Sequence, residues 1–436
     1  MNYSINQIKF VVLYIGIIIA YINNVFASTL KLIIEKIKIT IQGGLKMKYD
    51  FDEIIDRKSN FAAKYDELTL KYGKGDLIPM WVADMDFKAP QPVIDTMRER
   101  LEQGIFGYTS RPDSYYESIS QWLEKRHGWK VDPKHIIHSP LVIPSINVII
   151  KEFTQPGDKI IIQTPVYSPF FDVVKNNDRE LVVNPLKLVD GNYVMDYENL
   201  EEAAKSGAKM LLLCNPHNPV GRVWTREELV KLGDICLKYG VRVVSDEIHS
   251  DLIYKGNKHV PFGMISEDFF KNSITCSAPS KTFNIAGLQA SYVIFPTEEE
   301  KQIFDHAWTL IDIKRNNCFS LVATEAAYRH GEEWLEQLLE YLEGNVDLVK
   351  DYCDKYIPKI KPNRPEGTYL IWIDCRELGM DKDQLTKFMI DEVKVAFNAG
   401  HAFGVEGEGY IRMNIACPRS IVQEVLDRLK TAIDKL

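Results

Sequence analysis

The chain has 436 residues, enough for roughly two to three domains, and its content of 45% hydrophobic and 26% charged residues is typical of a globular protein. Its net charge of −8 comes without a basic cluster, which argues against nucleic acid as a partner. The seven cysteines are scattered, with no C-x-x-C pair. They therefore predict reduced thiols, a cytoplasmic location and no metal site.

Residues 1–46 differ in composition from the rest of the chain. Residues 10–22 form an apolar run of 13 residues, shorter than the ~20 residues that a membrane helix needs. Met47 opens a conventional start just after Gly43 and Gly44, whose codons would suit a ribosome-binding site. We expect residues 1–46 to be a mis-annotated extension. A signal peptide or anchor, or a genuine cytosolic extension, are the alternatives. No membrane association is expected for residues 47–436.

Residues 47–90 are expected to form an N-terminal segment that joins a smaller domain. A short helix is predicted at 51–56, and residues 78–87 are predicted to be extended. Pro90 and Pro92 begin a helix that runs to about residue 103, because proline suits the first turn. A further helix is predicted from 113 to 127, with Gly128 as its C-cap.

The predicted large domain, residues 91–330, alternates apolar strands with helices. Helix 225–239 opens with a sequence close to a capping box. Continuous apolar strands separated by helices indicate an α/β fold whose mostly parallel sheet is covered on both faces. Strands are predicted at 158–163, 181–183, 209–214, 241–245, 273–276 and 290–295.

Residues 331–436 are predicted to form a smaller α+β domain. The pattern gives a long amphipathic helix at 332–356 and a final one at 421–436. Strands are expected at 368–374 and 410–415, with a helix between them at 383–392.

Polar groups follow three of the predicted strands, in the segments 215–221, 246–249 and 277–287. The carboxyl ends of parallel strands meet at one edge, so these segments are expected to share a site. Lys281 has small and apolar neighbours, which should lower its pKa and suit Schiff-base chemistry. A lysine for the aldehyde and a carboxylate for the ring nitrogen match pyridoxal phosphate (PLP).

The motifs N-P-x-x-P-x-G, S-D-E-I-H, S-x-x-S-K and R-x-N occur in this order. On the basis of these motifs, residues 47–436 resemble the fold-type I PLP enzymes of the class I/II aminotransferase superfamily. WVADMDF at 81–87, NPHNPVGRVW at 215–224, SDEIHSDL at 245–252 and SKTFNIAGL at 280–288 are similar to the MalY/PatB branch, which contains cystathionine β-lyases.

The resemblance implies roles around the cofactor ring. Lys281 would bond to PLP and move the substrate Cα proton, and Asp246 would pair with the ring nitrogen. Asn218 and His249 would contact the ring hydroxyl oxygen. Many aminotransferases have tyrosine in place of His249, whereas the MalY-like branch has histidine. Tyr167 would stack on the ring.

The phosphate is expected at a helix N-terminus, where backbone N–H groups bind anions. Val142 and Ile143, just before a helix predicted from Pro144, resemble the family's phosphate cradle. Ser280 would donate to the same phosphate. Tyr108 resembles a tyrosine that reaches the neighbouring subunit's phosphate, which implies a homodimer with shared sites.

Arg412 resembles the arginine that holds the substrate α-carboxylate, a role that suits a bidentate guanidinium. Two positions depart from the common aminotransferase pattern. Gln289 stands where an arginine often holds the phosphate, and Ala278 stands where a hydroxyl is common. Ser277 is a candidate substitute for that hydroxyl.

The resemblance implies β-elimination from L-cystathionine or a related cysteine S-conjugate, giving a thiol, pyruvate and ammonia. The first alternative is an aminotransferase acting on an L-amino acid with the same residues. The second alternative is a PLP-binding regulatory protein that interacts with a transcription factor.

Overall fold

The computed structural model describes residues 48–313 and 315–436. The expectations about residues 1–46 lie outside this part of the chain. Asp50–Leu436 forms one compact unit. Within the described residues, no helix has the length and apolar character needed to cross a membrane. The predicted boundaries at residues 90 and 330 remain predictions.

The strands of the described residues are numbered in chain order. They are β1 Ile78–Pro79, β2 Ile136–Ser139, β3 Lys159–Ile162, β4 Glu180–Val183, β5 Lys187–Val189, β6 Asn192–Val194, β7 Met210–Cys214, β8 Arg242–Asp246, β9 Ser273–Ser277, β10 Ser291–Ile294, β11 Lys361–Pro362, β12 Leu370–Asp374, β13 Val395–Ala396, β14 Asn398–Ala399 and β15 Tyr410–Asn414.

Four of the α-helices in the same part of the chain have only four or five residues. The α-helices of the described residues are Ala63–Asp66, Leu68–Tyr72, Gln91–Glu102, Asp113–His127, Val142–Phe153, Pro169–Lys175, Tyr197–Lys205, Arg226–Tyr239, Glu267–Lys271, Pro279–Thr282, Glu298–Leu310, Cys318–His330, Glu332–Tyr356, Lys382–Phe388 and Arg419–Ile433. Local signals fix several ends: Thr225 forms a capping box with Glu228, and Gly128 ends its helix in the left-handed conformation at φ 75°.

The main sheet has seven strands in the order β2-β10-β9-β8-β7-β3-β4. Only β10 runs antiparallel to its two neighbours, which confirms the mostly parallel α/β sheet. Alternate residues of the buried strands point to opposite faces, and each face carries its own apolar core. Leu211 and Val243 belong to one core, whereas Leu212 and Val244 belong to the other. The carboxyl ends of β8 and β9 therefore lie side by side between two packed layers.

The C-terminal part of the chain holds a four-stranded antiparallel sheet in the order β11-β12-β15-β14. The helices Glu332–Tyr356 and Arg419–Ile433 bury apolar faces. β1 pairs in parallel with β13, joining Ile78 to Val395. The segment before residue 90 thus pairs with a strand of the C-terminal part.

Three local predictions are wrong in detail. Residues 51–56 are not helical, because Phe51 packs against Phe87 and Trp334 and Glu53 pairs with Lys88. The helix predicted from Pro144 begins at Val142, with the proline in its first turn, where a missing N–H is tolerated. The helix predicted at 383–392 is α-helical only to Phe388 and ends as a π-helical turn over Met389–Val393.

Candidate active site

Lys281 lies in the short helix Pro279–Thr282, directly after the carboxyl end of β9. Its Nζ donates to the carbonyl oxygen of Ala83 at 2.6 Å. Burial lowers the pKa of Lys281 to about 8, while the charge of Asp84 raises it and that of Arg412 lowers it. The amine is therefore more easily deprotonated than an exposed lysine.

Asp246 is the last residue of β8, the strand beside β9. Its Oδ1 accepts a hydrogen bond from the Ile248 N–H at 3.1 Å. Burial raises the pKa of Asp246 to about 7, against the opposing effects of that hydrogen bond and of the Lys281 charge. A cation placed against a buried carboxyl group of this kind stabilises its ionised form.

His249 follows in the turn after β8 and is buried. Its ring packs edge-on against Tyr369 with the ring centroids 5.9 Å apart. Burial lowers the pKa of His249 to about 3, and the charges of Lys281 and Arg412 act in the same direction. The imidazole is neutral, and its Nδ1 has no hydrogen-bond partner among the described residues.

Arg412 of β15 is buried and surrounded by neutral oxygens. Nη1 donates to Asn218 Oδ1 at 3.0 Å, and Nη2 donates to Trp81 O at 2.8 Å and to Asn398 Oδ1 at 2.6 Å. Its Nε has no partner among the described residues. Burial lowers the pKa of Arg412 to about 10. A buried guanidinium with donor capacity to spare suits an incoming carboxylate.

Residues 81–87 form an irregular segment across the site, called the strap here. Its carbonyl oxygens accept hydrogen bonds from side chains of both parts of the fold. Asn414 Nδ2 donates to Val82 O at 2.6 Å and to Asp84 O at 2.7 Å, and Tyr369 Oη donates to Ala83 O at 2.8 Å. From the other side, Asn284 Nδ2 donates to Met85 O at 2.9 Å and to Phe87 O at 2.8 Å.

The two acids of the strap are fully engaged with two cations from the N-terminal segment. Arg57 reaches Asp84 at 2.7 Å and Asp86 at 2.6 Å. Lys64, which is 0% exposed, reaches Asp86 at 2.8 Å and Asp84 at 3.8 Å. Burial strengthens such pairs and makes an unpaired member costly.

The structure brings most of the sequence-predicted residues together. Lys281, Asp246, His249, Asn218 and Arg412 are linked by the contacts and charge effects above. The half-buried Tyr167 interacts electrostatically with both Arg412 and Asp246. Ser280 is buried next to Lys281.

The residues discussed for the phosphate lie in different local environments. Val142 and Ile143 open the helix Val142–Phe153, with Leu141 as its N-cap. Gln289 is exposed at φ 55°. Ser277 Oγ donates to Glu247 O at 3.2 Å, so its hydroxyl is engaged within the protein.

Tyr108 lies apart from the group. It is 95% exposed, and the Arg315 guanidinium lies 5.6 Å from its ring centroid. The assignment of Tyr108 to a neighbouring subunit's site therefore stays a prediction.

Three contributors were not singled out from the sequence: Tyr369, Asn284 and the Ala83 carbonyl. Tyr369 immediately precedes an apolar strand, a position that also suits a core tyrosine. Asn284 stands in the quoted stretch 280–288 and has a left-handed φ of 55°, which asparagine tolerates better than most residues. Its side-chain contacts with residues 85–87 are long-range, and no local pattern reports them.

PLP fits these groups by chemistry. It carries an aldehyde, a ring nitrogen, a ring hydroxyl and a phosphate, and the site offers an amine of low pKa, a buried acid, a neutral imidazole and a helix N-terminus. The unpartnered His249 Nδ1 is a buried polar atom that a further ligand would satisfy. A mostly parallel α/β sheet with this set of groups at its carboxyl edge defines the class of fold-type I PLP-dependent proteins.

Comparison with known proteins identifies the family. The chain belongs to the family described as aminotransferase class I and II, which residues 76–429 match. It is 42% identical over 385 residues to cystathionine beta-lyase PatB of Bacillus subtilis (strain 168), covering 88% of this chain and 100% of PatB. The resemblance to the MalY/PatB branch is thereby confirmed.

Two solved structures are similar over most of their length. A PLP-bound protein of Clostridium difficile 630, described as a candidate aminotransferase, is 57% identical with a TM-score of 0.87, covering 88% of this chain and 100% of that one. The PLP-bound C-S lyase of Staphylococcus hominis is 35% identical with a TM-score of 0.84, covering 89% and 99%.

Proposed function

We propose that the protein is a PLP-dependent C–S β-lyase of the cystathionine β-lyase type. It would convert L-cystathionine or a related cysteine S-conjugate to a thiol, pyruvate and ammonia. The observation that carries the proposal is that one site holds both a lysine of low pKa, Lys281, and the guanidinium of Arg412, whose Nε has no hydrogen-bond partner among the described residues. The lyase relatives PatB and the Staphylococcus hominis enzyme support the reaction type.

When bound, PLP supplies an electron sink for the negative charge that develops at the substrate Cα. Lys281 would hold the cofactor covalently and then, as a free amine, remove the Cα proton. Its lowered pKa places it close to the pH at which a general base works best. Asp246 would keep the ring nitrogen protonated, and its burial makes that ion pair strong.

The remaining residues would bind and orient. Arg412 would bind the α-carboxylate with its unpartnered Nε as a donor, which positions the Cα–H bond near Lys281. Asn218 uses its oxygen for Arg412, and its Nδ2 would serve the ring hydroxyl oxygen together with His249. Tyr167 would stack on the ring, while Val142, Ile143 and Ser280 would hold the phosphate.

Transamination is the second candidate, favoured by the description of the 57%-identical Clostridium difficile protein. It would use the same residues, and it differs in where the proton held by Lys281 is returned. The two reactions separate by their products, because only elimination releases pyruvate and thiol without a keto-acid acceptor.

We also propose a cytoplasmic homodimer with shared sites. The loop around Tyr108 and the chain near residue 311 are tied together by Thr109 Oγ1, which donates to Asn316 O at 2.8 Å. In these two segments Phe106 (56%), Tyr108 (95%) and Ile311 (58%) are large apolar side chains that are exposed, and a second copy would cover them. All seven cysteines are free thiols, which suits a reducing compartment.

The test is an assay of purified, PLP-loaded protein with L-cystathionine and no keto acid, measuring pyruvate and free thiol. Formation of both in equal amounts is the expected result. If no pyruvate forms and amino transfer begins only after a keto acid is added, the protein is an aminotransferase and the proposed lyase function is wrong. Phe106→Asp, compared with wild type by sedimentation, is expected to give a monomer.

A further inference from the structure

A buried polar cluster lies behind Lys281, outside the groups assigned above. Its centre is Asp251, 3% exposed, in the turn that also carries His249. Asp251 Oδ2 accepts from Thr282 Oγ1 at 2.8 Å, and Oδ1 lies 3.1 Å from Trp122 Nε1 and 2.9 Å from His127 Nε2. All three partners are buried.

This arrangement needs an explanation, because a carboxylate is costly to bury. Burial alone would raise the pKa of Asp251, yet the hydrogen bonds and the His127 contact outweigh it and hold that pKa below its usual value. Three donors on one carboxylate make a rigid and ionised anchor. An apolar side chain would fill the same volume without this cost.

The anchor joins three elements of the fold. Thr282 is the residue after Lys281, in the helix Pro279–Thr282. Asp251 belongs to the turn after β8, the strand that ends in Asp246. Trp122 and His127 come from the helix Asp113–His127. The Thr282–Asp251 hydrogen bond therefore ties the lysine-bearing segment to the segment that bears Asp246 and His249.

We propose that Asp251 is a positioning residue that acts through Thr282 to fix the Lys281 amine relative to Asp246 and His249. The proposal rests on the assignment of Lys281 as the PLP lysine. Loss of the tie lets the short helix shift, so that Lys281 reaches PLP and the substrate proton less often. Geometric errors of this kind reduce rates more than substrate binding.

The test compares Thr282→Val, which keeps the shape and removes the hydroxyl, with Thr282→Ser, which restores it. Thr324→Val is the matched control: this buried threonine donates to the Ser320 carbonyl within one helix. Asp251→Asn extends the series, and the threonine variants keep the test decisive should Asp251→Asn fail to fold.

The first readout is the rate at which apoprotein captures PLP covalently, followed by visible absorbance after mixing. Thr282→Val is expected to slow capture about tenfold, with Thr282→Ser and Thr324→Val within about twofold of wild type. In the lyase assay, Thr282→Val should lower kcat about tenfold and leave KM within about twofold.

Wild-type capture rate and kcat in Thr282→Val would overturn the proposal. So would a loss in Thr282→Ser or Thr324→Val equal to that in Thr282→Val. If the wild type captures PLP but does not release pyruvate, the proposed lyase function fails, and the capture rates still decide the role of Asp251.

Discussion

The strap differs in the pairing of its charged groups from the residues that follow the carboxyl ends of β8 and β9, called the sheet edge here. In the strap, Asp84 and Asp86 are matched by Arg57 and Lys64, and one of these cations is fully buried. At the sheet edge, Lys281 and Asp246 have shifted pKa values, and His249 Nδ1 has no partner among the described residues. The strap completes its interactions within the protein, whereas the sheet edge holds groups that a ligand would complete.

This difference separates a structural role from a chemical one. Complete pairing predicts that substitutions in the strap reduce stability. Incomplete pairing predicts that substitutions at the sheet edge reduce activity with smaller effects on stability, as expected where residues are selected for function. Each of the following measurements tests that division.

Replacement of the lysine should have the largest effect. Lys281→Ala is expected to lower pyruvate formation by at least about 10³-fold, because both the covalent link and the Cα base are lost. The visible absorbance of covalently held PLP should disappear as well. Lys271→Ala is the matched control, since Lys271 is exposed and pairs with Glu267 on its own helix. A persisting absorbance band in Lys281→Ala would reject the assignment.

The strap provides the largest expected loss of stability. Asp86→Asn removes the closest partner of the buried Lys64 and should lower the free energy of unfolding by about 3–5 kcal/mol. Glu53→Gln breaks the exposed pair with Lys88 and should cost about 0–1 kcal/mol. Urea unfolding of both variants measures the difference. Equal, small losses would mean that the strap network does not stabilise the fold.

The sequence predicted the fold class and the strand ends because those signals are local. Apolar runs fix β7, β8 and β9, and the ends of parallel strands must meet at one edge. The strap could not be predicted in this way. Its partners Arg57, Asn284 and Asn414 lie far apart in the chain, and hydrogen bonds to backbone carbonyls impose no sequence pattern.

Replacement of Arg412 tests whether its unpartnered Nε belongs to the site that binds the substrate carboxylate. Arg412→Lys keeps a positive charge but loses the planar fork, so the KM for cystathionine should rise and kcat/KM should fall about 100-fold. Arg376→Lys is the control, because Arg376 is largely exposed and pairs with Asp374 in the same part of the fold. An unchanged KM in Arg412→Lys would remove this residue from carboxylate binding.

The pH dependence of stability gives the most specific test. The folded-state pKa of Asp246 is about 7, above the ordinary value of 3.8, so the folded apoprotein binds this proton more tightly than the unfolded chain does. The resulting stabilisation is fully present below the unfolded pKa and is lost as the pH rises toward 7. Asp246→Asn removes it. The stability of wild-type apoprotein minus that of the variant should therefore fall between about pH 4 and pH 7, measured by urea unfolding at each pH. If the stability of wild type and of Asp246→Asn changes in parallel with pH, the charge of Asp246 is already compensated within the protein, as the charges of Asp84 and Asp86 are.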